Sequence, residues 1–280
     1  YRDSFTALDG SGVTSTVIVS SQTVASELRY ELAQDNVPMG DVEIYVAAID
    51  SVWMRDYGPI ILTRPDGSRV VADPEYYYGR PQDNAFPSAY ARFRGWDYIK
   101  SNVSFEGGNF ACDGNGVQFS SYGVQWFNRD LSVAEIERDF LASYGSRDVV
   151  WLEPLKDEGT THIDMFVRIM DENSALVSRY PSWHKQAQVV DDCARTMRQA
   201  GYTVTRVDVD YNYDEYGTYS NSVLANGIAL IPMYTDAAKN QAALNAYAAL
   251  GFNAHGVDGT RIIKYSGATH CVSMQVPSGR

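Results

Sequence analysis

Helical patterning returns at a near-regular interval along this chain, which restricts it to architectures built from repeated units. Apolar residues spaced for one helix face mark residues 23–34 (Leu28, Leu32), a weaker 88–94, 132–144 (Val133, Ile136, Phe140), 184–200 (Val189, Cys193, Met197) and 236–250 (Leu244, Tyr247, Ala248). Ser132 and Glu135 have the spacing of a capping box, and Gly145, Gly201 and Gly251 stand where helices stop. The five helix starts lie about 44 to 65 residues apart, the range of repeated supersecondary units.

Short β-branched or alternating runs fill the intervals, at 15–19, 42–46, 60–63, 70–72, 117–120, 149–152, 165–169, 175–177, 204–209, 223–225, 229–232 and 261–265. Asp66-Gly67 and Asn226-Gly227 mark tight hairpins among them. Each helix is thus accompanied by two or three strands. The expected architecture is α/β, five ββαβ-like units closed into a ring, with residues 1–280 as a single domain. Conspicuous polar residues keep the same beat: Asp56, Glu106, His162, Asn221 and Cys271 follow the successive helices by about 12 to 22 residues. In a ring, equivalent positions converge on the axis, so five weak signals become one candidate site.

Composition narrows the partners. Of 280 residues, 45% are hydrophobic, enough for a sizeable core. The net charge of −12 disfavours binding to nucleic acid or anionic membrane and draws cations. No apolar run approaches the roughly 20 residues of a membrane span. The chain starts at Tyr1 without methionine or a signal-like region, which reads as a trimmed N-terminus, and its twenty tyrosines suggest a secreted protein. Three cysteines leave at least one outside any intramolecular disulfide, Cys112 and Cys193 being paired or free, and none has zinc-site spacing. Residues 208–212 begin like a calcium loop, but its glycine and closing glutamate are replaced by Tyr213 and Tyr219. The segment reads instead as a solvated, tyrosine-rich loop near a substrate mouth.

The chemistry is carried by Thr269-His270-Cys271, His162-Ile163-Asp164 and residues 53–59, Trp53-Met54-Arg55-Asp56-Tyr57-Gly58-Pro59. Together they supply a thiol, an imidazole and two carboxylates. That set suits attack on a guanidinium carbon: carboxylates pin the planar cation, the thiolate adds to it, and the histidine moves protons. The protein's own side chains suffice, so no metal or cofactor is expected.

These three motifs, with Glu106-Gly107-Gly108-Asn109 and Tyr219-Ser220-Asn221-Ser222, in this order, resemble the bacterial-type peptidylarginine deiminases and their relatives the agmatine deiminases. The resemblance covers roughly residues 14–277 and implies the five-bladed pseudo-symmetric α/β propeller called the pentein fold. It implies Cys271 as nucleophile, His162 as general acid and base, Asp56 and Asp164 as the guanidinium clamp, and Asn221 as an assisting polar group. Glu106, Trp53, Tyr78 and Arg80 are expected on the substrate, Arg80 being the one arginine retained of two that grip a C-terminal carboxylate in the enzyme restricted to C-terminal arginine. The first expectation is therefore deimination of arginine-containing peptides or proteins to peptidyl-citrulline, with relaxed selectivity between internal and C-terminal arginine. The alternative within deiminases is agmatine, whose enzymes usually have a glycine-rich approach to the cysteine; here residues 265–269 hold one glycine. A non-catalytic pentein binding module has no need of this thiol, imidazole and carboxylate pair together. A papain-like peptidase should have its cysteine ahead of its histidine, the reverse of what is found.

Overall fold

The computed structural model describes residues 2–277, among which there are five small sheets, four of them built on one plan. After a leading α1 (Arg2–Leu8), the first sheet is a parallel pair, β1 (Ser15–Val19) and β2 (Val42–Val46), joined by α2 (Gln22–Gln34). A short α3 (Met54–Tyr57) leads to the second sheet: β3 (Ile60–Thr63), β4 (Arg69–Glu75), α4 (Pro81–Arg94) and β5 (Asp97–Ser104). The third holds β6 (Ala111–Cys112), β7 (Val117–Ser121), a single-turn α5 (Val124–Phe127), α6 (Val133–Tyr144) and β8 (Asp148–Leu152). The fourth is β9 (Val167–Asp171), β10 (Ser174–Arg179), α7 (Ala187–Gln199) and β11 (Thr203–Asp208). The fifth is β12 (Val223–Ala225), β13 (Ile228–Met233), α8 (Ala237–Ala249) and β14 (Asn253–Asp258).

In the last four sheets the first two strands form an antiparallel hairpin, and the helix returns the chain to a third strand parallel to the second. The plan is ββαβ, and the fold is the expected five-bladed α/β propeller. Only the first blade departs from the plan, as βαβ. One end of the propeller follows from the strand directions. The parallel strands finish there, and each antiparallel first strand begins there, so a residue just ahead of a first strand must lie at that end. Asp56, Glu106, Asp164 and Asn221 all occupy such positions.

Local chemistry explains most boundaries. Ser132 and Glu135 make the reciprocal capping box of α6, and Gly145 closes the helix in the left-handed region at φ 67°. Asn226 and Gly227, at φ 47° and 77°, turn the β12–β13 hairpin. The largest apolar cluster runs through the third to fifth blades, from Phe119 and Leu152 to Tyr247, Ala268 and Cys271.

Four expectations need correction. The helix expected at 88–94 begins at Pro81 and continues through Pro87, which lies inside it. Its first turn is held from a distance: the Asp50 carboxylate accepts from Gln82 N at 2.8 Å, while Asp83 accepts from Asp50 N at 2.7 Å and Ser51 Oγ at 2.7 Å. Residues 261–265 are not a strand; Ile262–Tyr265 is a 3₁₀ turn closed by Ser266 at φ 65°. The parallel strands β5 and β14, too polar to stand out, were missed, as was the two-residue β6. The 208–212 segment is no solvated loop, since Asp210 is buried and its Oδ2 accepts from Asp236 N, the N-cap of α8, at 3.1 Å. Cys112, Cys193 and Cys271 are all free thiols.

Candidate active site

Each blade sends one turn to the common end. α3 carries Asp56 ahead of β3, and a 3₁₀ turn at Gly107–Asn109 follows Glu106 ahead of β6. A second 3₁₀ turn, Ile163–Met165, follows His162 and carries Asp164 ahead of β9. The first 3₁₀ turn packs against both α3 and the second. Asn221 precedes β12, and Cys271 ends the fifth unit, its carbonyl accepting from Arg55 N at 3.0 Å. Asp56, Glu106, His162, Asp164, Asn221, His270 and Cys271 are all buried.

Two clusters make up the site. In the first, His162 Nε2 meets Glu106 Oε2 at 2.6 Å, and its Nδ1 lies 3.7 Å from Asp56 Oδ1. Gly108 N donates to that same Asp56 oxygen at 3.2 Å. Gly108 is obligatory here, because a β-carbon would fall 2.4 Å from His162 Nδ1. In the second cluster, Asn221 Nδ2 donates to Cys271 Sγ at 3.2 Å, and Cys271 Sγ is 3.8 Å from Asp164 Oδ2. That oxygen also accepts from His270 Nδ1 at 2.6 Å, while the other, Asp164 Oδ1, is buried without a hydrogen-bond partner. Asn221 Oδ1 in turn accepts from His270 N at 3.0 Å, which ties the thiol's amide donor to the cysteine's own turn.

Electrostatics assign protonation. Burial disfavours a charged His162, but the Asp56 charge, the hydrogen bond to Glu106 and the Asp164 charge outweigh it and raise the pKa to about 10. His162 is therefore an imidazolium at neutral pH. Burial raises Asp56 to about 8 against the pull of His162, and it pushes Asp164 up as well. Glu106 is held low: burial opposes its ionisation, but the His162 hydrogen bond and charge prevail. Burial, then Asp164 and Asp56, pushes the Cys271 thiol well above its ordinary value. Two nearby carboxylates disfavour a further negative charge on a buried thiol, and a cation entering between them reverses that.

The expected substrate residues divide. Asp56 and Asp164 belong to the buried clusters, and Trp53 stands beside the nucleophile: a β-carbon on Gly267 would meet its ring at 2.5 Å and Cys271 Cβ at 3.0 Å. Glu106, expected on the substrate, is engaged by His162 and by the hydroxyl of Tyr77. Tyr78 is wholly exposed and joins no cluster. Arg80 donates to Tyr76 OH at 2.8 Å and lies 5.4 Å from the Tyr77 ring centroid, so the 76–80 segment reaches the site through Tyr77 rather than Tyr78. Alternating exposure along a turn is not readable from residue types. His270, Arg55 and Gly108 stood within the motifs without an assigned role, and Arg168 and Gly267 were not singled out, although the adjacency of His270 to Cys271 was a visible signal.

The family model described as Porphyromonas-type peptidyl-arginine deiminase matches residues 11–277. A Mycoplasma capricolum protein named "Putative agmatine deiminase" is 22% identical, over 91% of this chain and 82% of its own. The solved C. jejuni agmatine deiminase is 20% identical, superposes with a TM-score of 0.81 and is matched over 96% of this chain and 83% of its own. An agmatine deiminase of Enterococcus faecalis is 17% identical, with a TM-score of 0.80 over 95% of this chain and 83% of its own.

Proposed function

Because the chain belongs to the Porphyromonas-type peptidyl-arginine deiminase family, whose members hydrolyse guanidinium C–N bonds, we propose that it deiminates a small free guanidine, agmatine, to its ureido product. The observation that carries the guanidinium assignment is a buried thiol 3.8 Å from a carboxylate whose other oxygen is unpartnered. The relatives' names and the net charge of −12, which attracts a dication, favour agmatine over the peptide expected first.

The steps follow from the protonation states. The guanidinium enters between Asp56 and Asp164, whose ionised forms its charge favours, and the same charge drives the Cys271 thiol to release its proton to solvent and become a thiolate. The thiolate adds to the ζ-carbon, giving a tetrahedral adduct that Asn221 steadies through its bond to sulfur. The imidazolium of His162 protonates the departing nitrogen, and ammonia leaves as the C–N bond breaks. The resulting thiouronium is attacked by water, whose proton passes to the now neutral His162. The C–S bond breaks as the remaining hydroxyl proton is lost to solvent, where it converts the released ammonia to ammonium, and the ureido product leaves with thiolate and imidazolium restored.

Peptidyl-arginine is the second reading, favoured by Arg80. A guanidinium stacked on Tyr76 and Tyr77, next to the Glu106 and His162 pair, suits a substrate carboxylate and repels an ammonium. The test is release of ammonia and ureido product from agmatine, free arginine, benzoyl-arginine amide and a peptide ending in arginine, with Cys271→Ala as the control. Preference for agmatine, strengthened in Arg80→Ala, supports the first reading. Preference for the peptides, lost for the C-terminal one in Arg80→Ala, replaces it with the second. Activity retained by Cys271→Ala overturns both.

A further inference from the structure

Arg168, the second residue of β9, lies with its Nη1 2.6 Å from His270 Nε2. A guanidinium has donors only, so Nε2 must accept, and a neutral imidazole then carries its proton on Nδ1. Nδ1 in turn lies 2.6 Å from Asp164 Oδ2, and it therefore donates to that oxygen. The backbone of His270 is fixed as well, its N–H donating to Asn221 Oδ1 at 3.0 Å. Neither Arg168 nor His270 has a part in the bond-making steps above.

Building on the deiminase reading, we propose that Arg168 and His270 are positioning residues: Arg168 fixes the His270 tautomer, and His270 holds Asp164 by Oδ2 so that Oδ1 remains the acceptor for the guanidinium. The roles of the two histidines then separate. His162, flanked by Glu106 and Asp56, carries a proton to the leaving group. His270, flanked by Arg168 and Asp164, stays neutral and orients a carboxylate. Burial, with the charges of Arg55, Arg168 and His162, keeps His270 from taking a second proton. Asp164 itself faces His270, Cys271, His162, Asp56, Arg55, Arg168 and Glu158, and of these His270 makes the short bond to its carboxylate. An outer partner that orients a ligating group typically sets affinity by about 10- to 100-fold, and the same scale is expected for this clamp.

The experiment separates this role from turnover. In the folded Cys271→Ala protein, agmatine and benzoyl-arginine amide are titrated calorimetrically across pH, alone and combined with His270→Phe, His270→Asn or Arg168→Met. Binding should weaken on the acid side as Asp164 takes up a proton. His270→Phe should weaken it about 10- to 100-fold and move that limb to higher pH, because the donor to Oδ2 is gone. His270→Asn, which places an amide donor near the Nδ1 position, should restore most of both, and Arg168→Met should fall between. An unmoved limb in His270→Phe and Arg168→Met, or a His270→Asn no better than His270→Phe, overturns the proposal. So does a folded Cys271→Ala protein that binds neither guanidinium. If the binding pattern holds but the parent protein releases no ureido product, the positioning role stands and the deiminase reading falls.

Discussion

Asp56 and Asp164 differ in kind although both are buried carboxylates. Asp56 shares its Oδ1 between Gly108 N and the edge of His162, whereas Asp164 keeps Oδ1 free and commits Oδ2 to His270. Replacing either with Asn keeps the shape and removes a charge that a desolvated guanidinium needs. The loss of transition-state binding should be about 2–4 kcal/mol, or roughly thirty- to several-hundred-fold in kcat/KM. Steady-state kinetics of the two variants check this, and near-native kcat/KM in either one would place the clamp elsewhere. Gly108 makes a sharper prediction because it touches no substrate. In Gly108→Ala the new methyl meets the imidazole of His162 at 2.4 Å, so the ring must leave Glu106 or the turn must shift. Activity should fall by more than about tenfold while the protein remains folded, since the turn links two sheets without belonging to either. Circular dichroism alongside kinetics distinguishes this from collapse of the fold.

At the scale of single elements, two helices were read unequally well. α6 has its signals beside it in the chain, Ser132 and Glu135 at the start and Gly145 at the stop. Removing the hydroxyl in Ser132→Ala should cost about 1 kcal/mol of unfolding free energy, measurable in urea, with kcat unchanged because α6 contributes no group to the site. α4 is capped by Asp50, more than thirty positions away, and this partner also braces the 50–57 segment that carries Asp56. Local spacing could not reveal such a cap. The strands β5 and β14 were missed for a related reason. Their parallel neighbours in the same sheet supply the pairing and half the burial, so the strands themselves can be polar on alternate positions.

For the whole molecule, the ring concentrates titrating groups at its axis, and folding stability should report them. His162 is raised from 6.5 to about 10, so the folded state holds a proton that the unfolded chain releases. Its contribution is complete below pH 6.5 and is lost as pH rises through about 10. Asp56, raised from 3.8 to about 8, has the same sign between those two values, so it adds to the His162 effect from pH 6.5 to about 8. The thermal midpoint should therefore fall between pH 6.5 and 10, by roughly 2–4 °C for each kcal/mol lost, and the slope should flatten in His162→Asn. A midpoint that rises over this range would contradict the assigned charge states.

The amino-acid sequence by itself determined the repeat, the α/β class and the order of the five polar motifs, because helix periodicity, hairpin dipeptides and residue chemistry are local properties of a chain. It also carried the likeness to guanidine-modifying deiminases, since Asp56, His162, Asp164, Asn221 and Cys271 are recognisable as an ordered set. Tertiary structure alone decided which further groups surround those residues. Glu106 became the partner of His162, Tyr77 rather than Tyr78 turned toward the site, and Arg168, His270 and Gly108 entered it. Each of these depends on which turns from different blades meet at one end of the ring. Contacts between residues dozens of positions apart are set by closure of the whole propeller, and no local pattern in the chain encodes them.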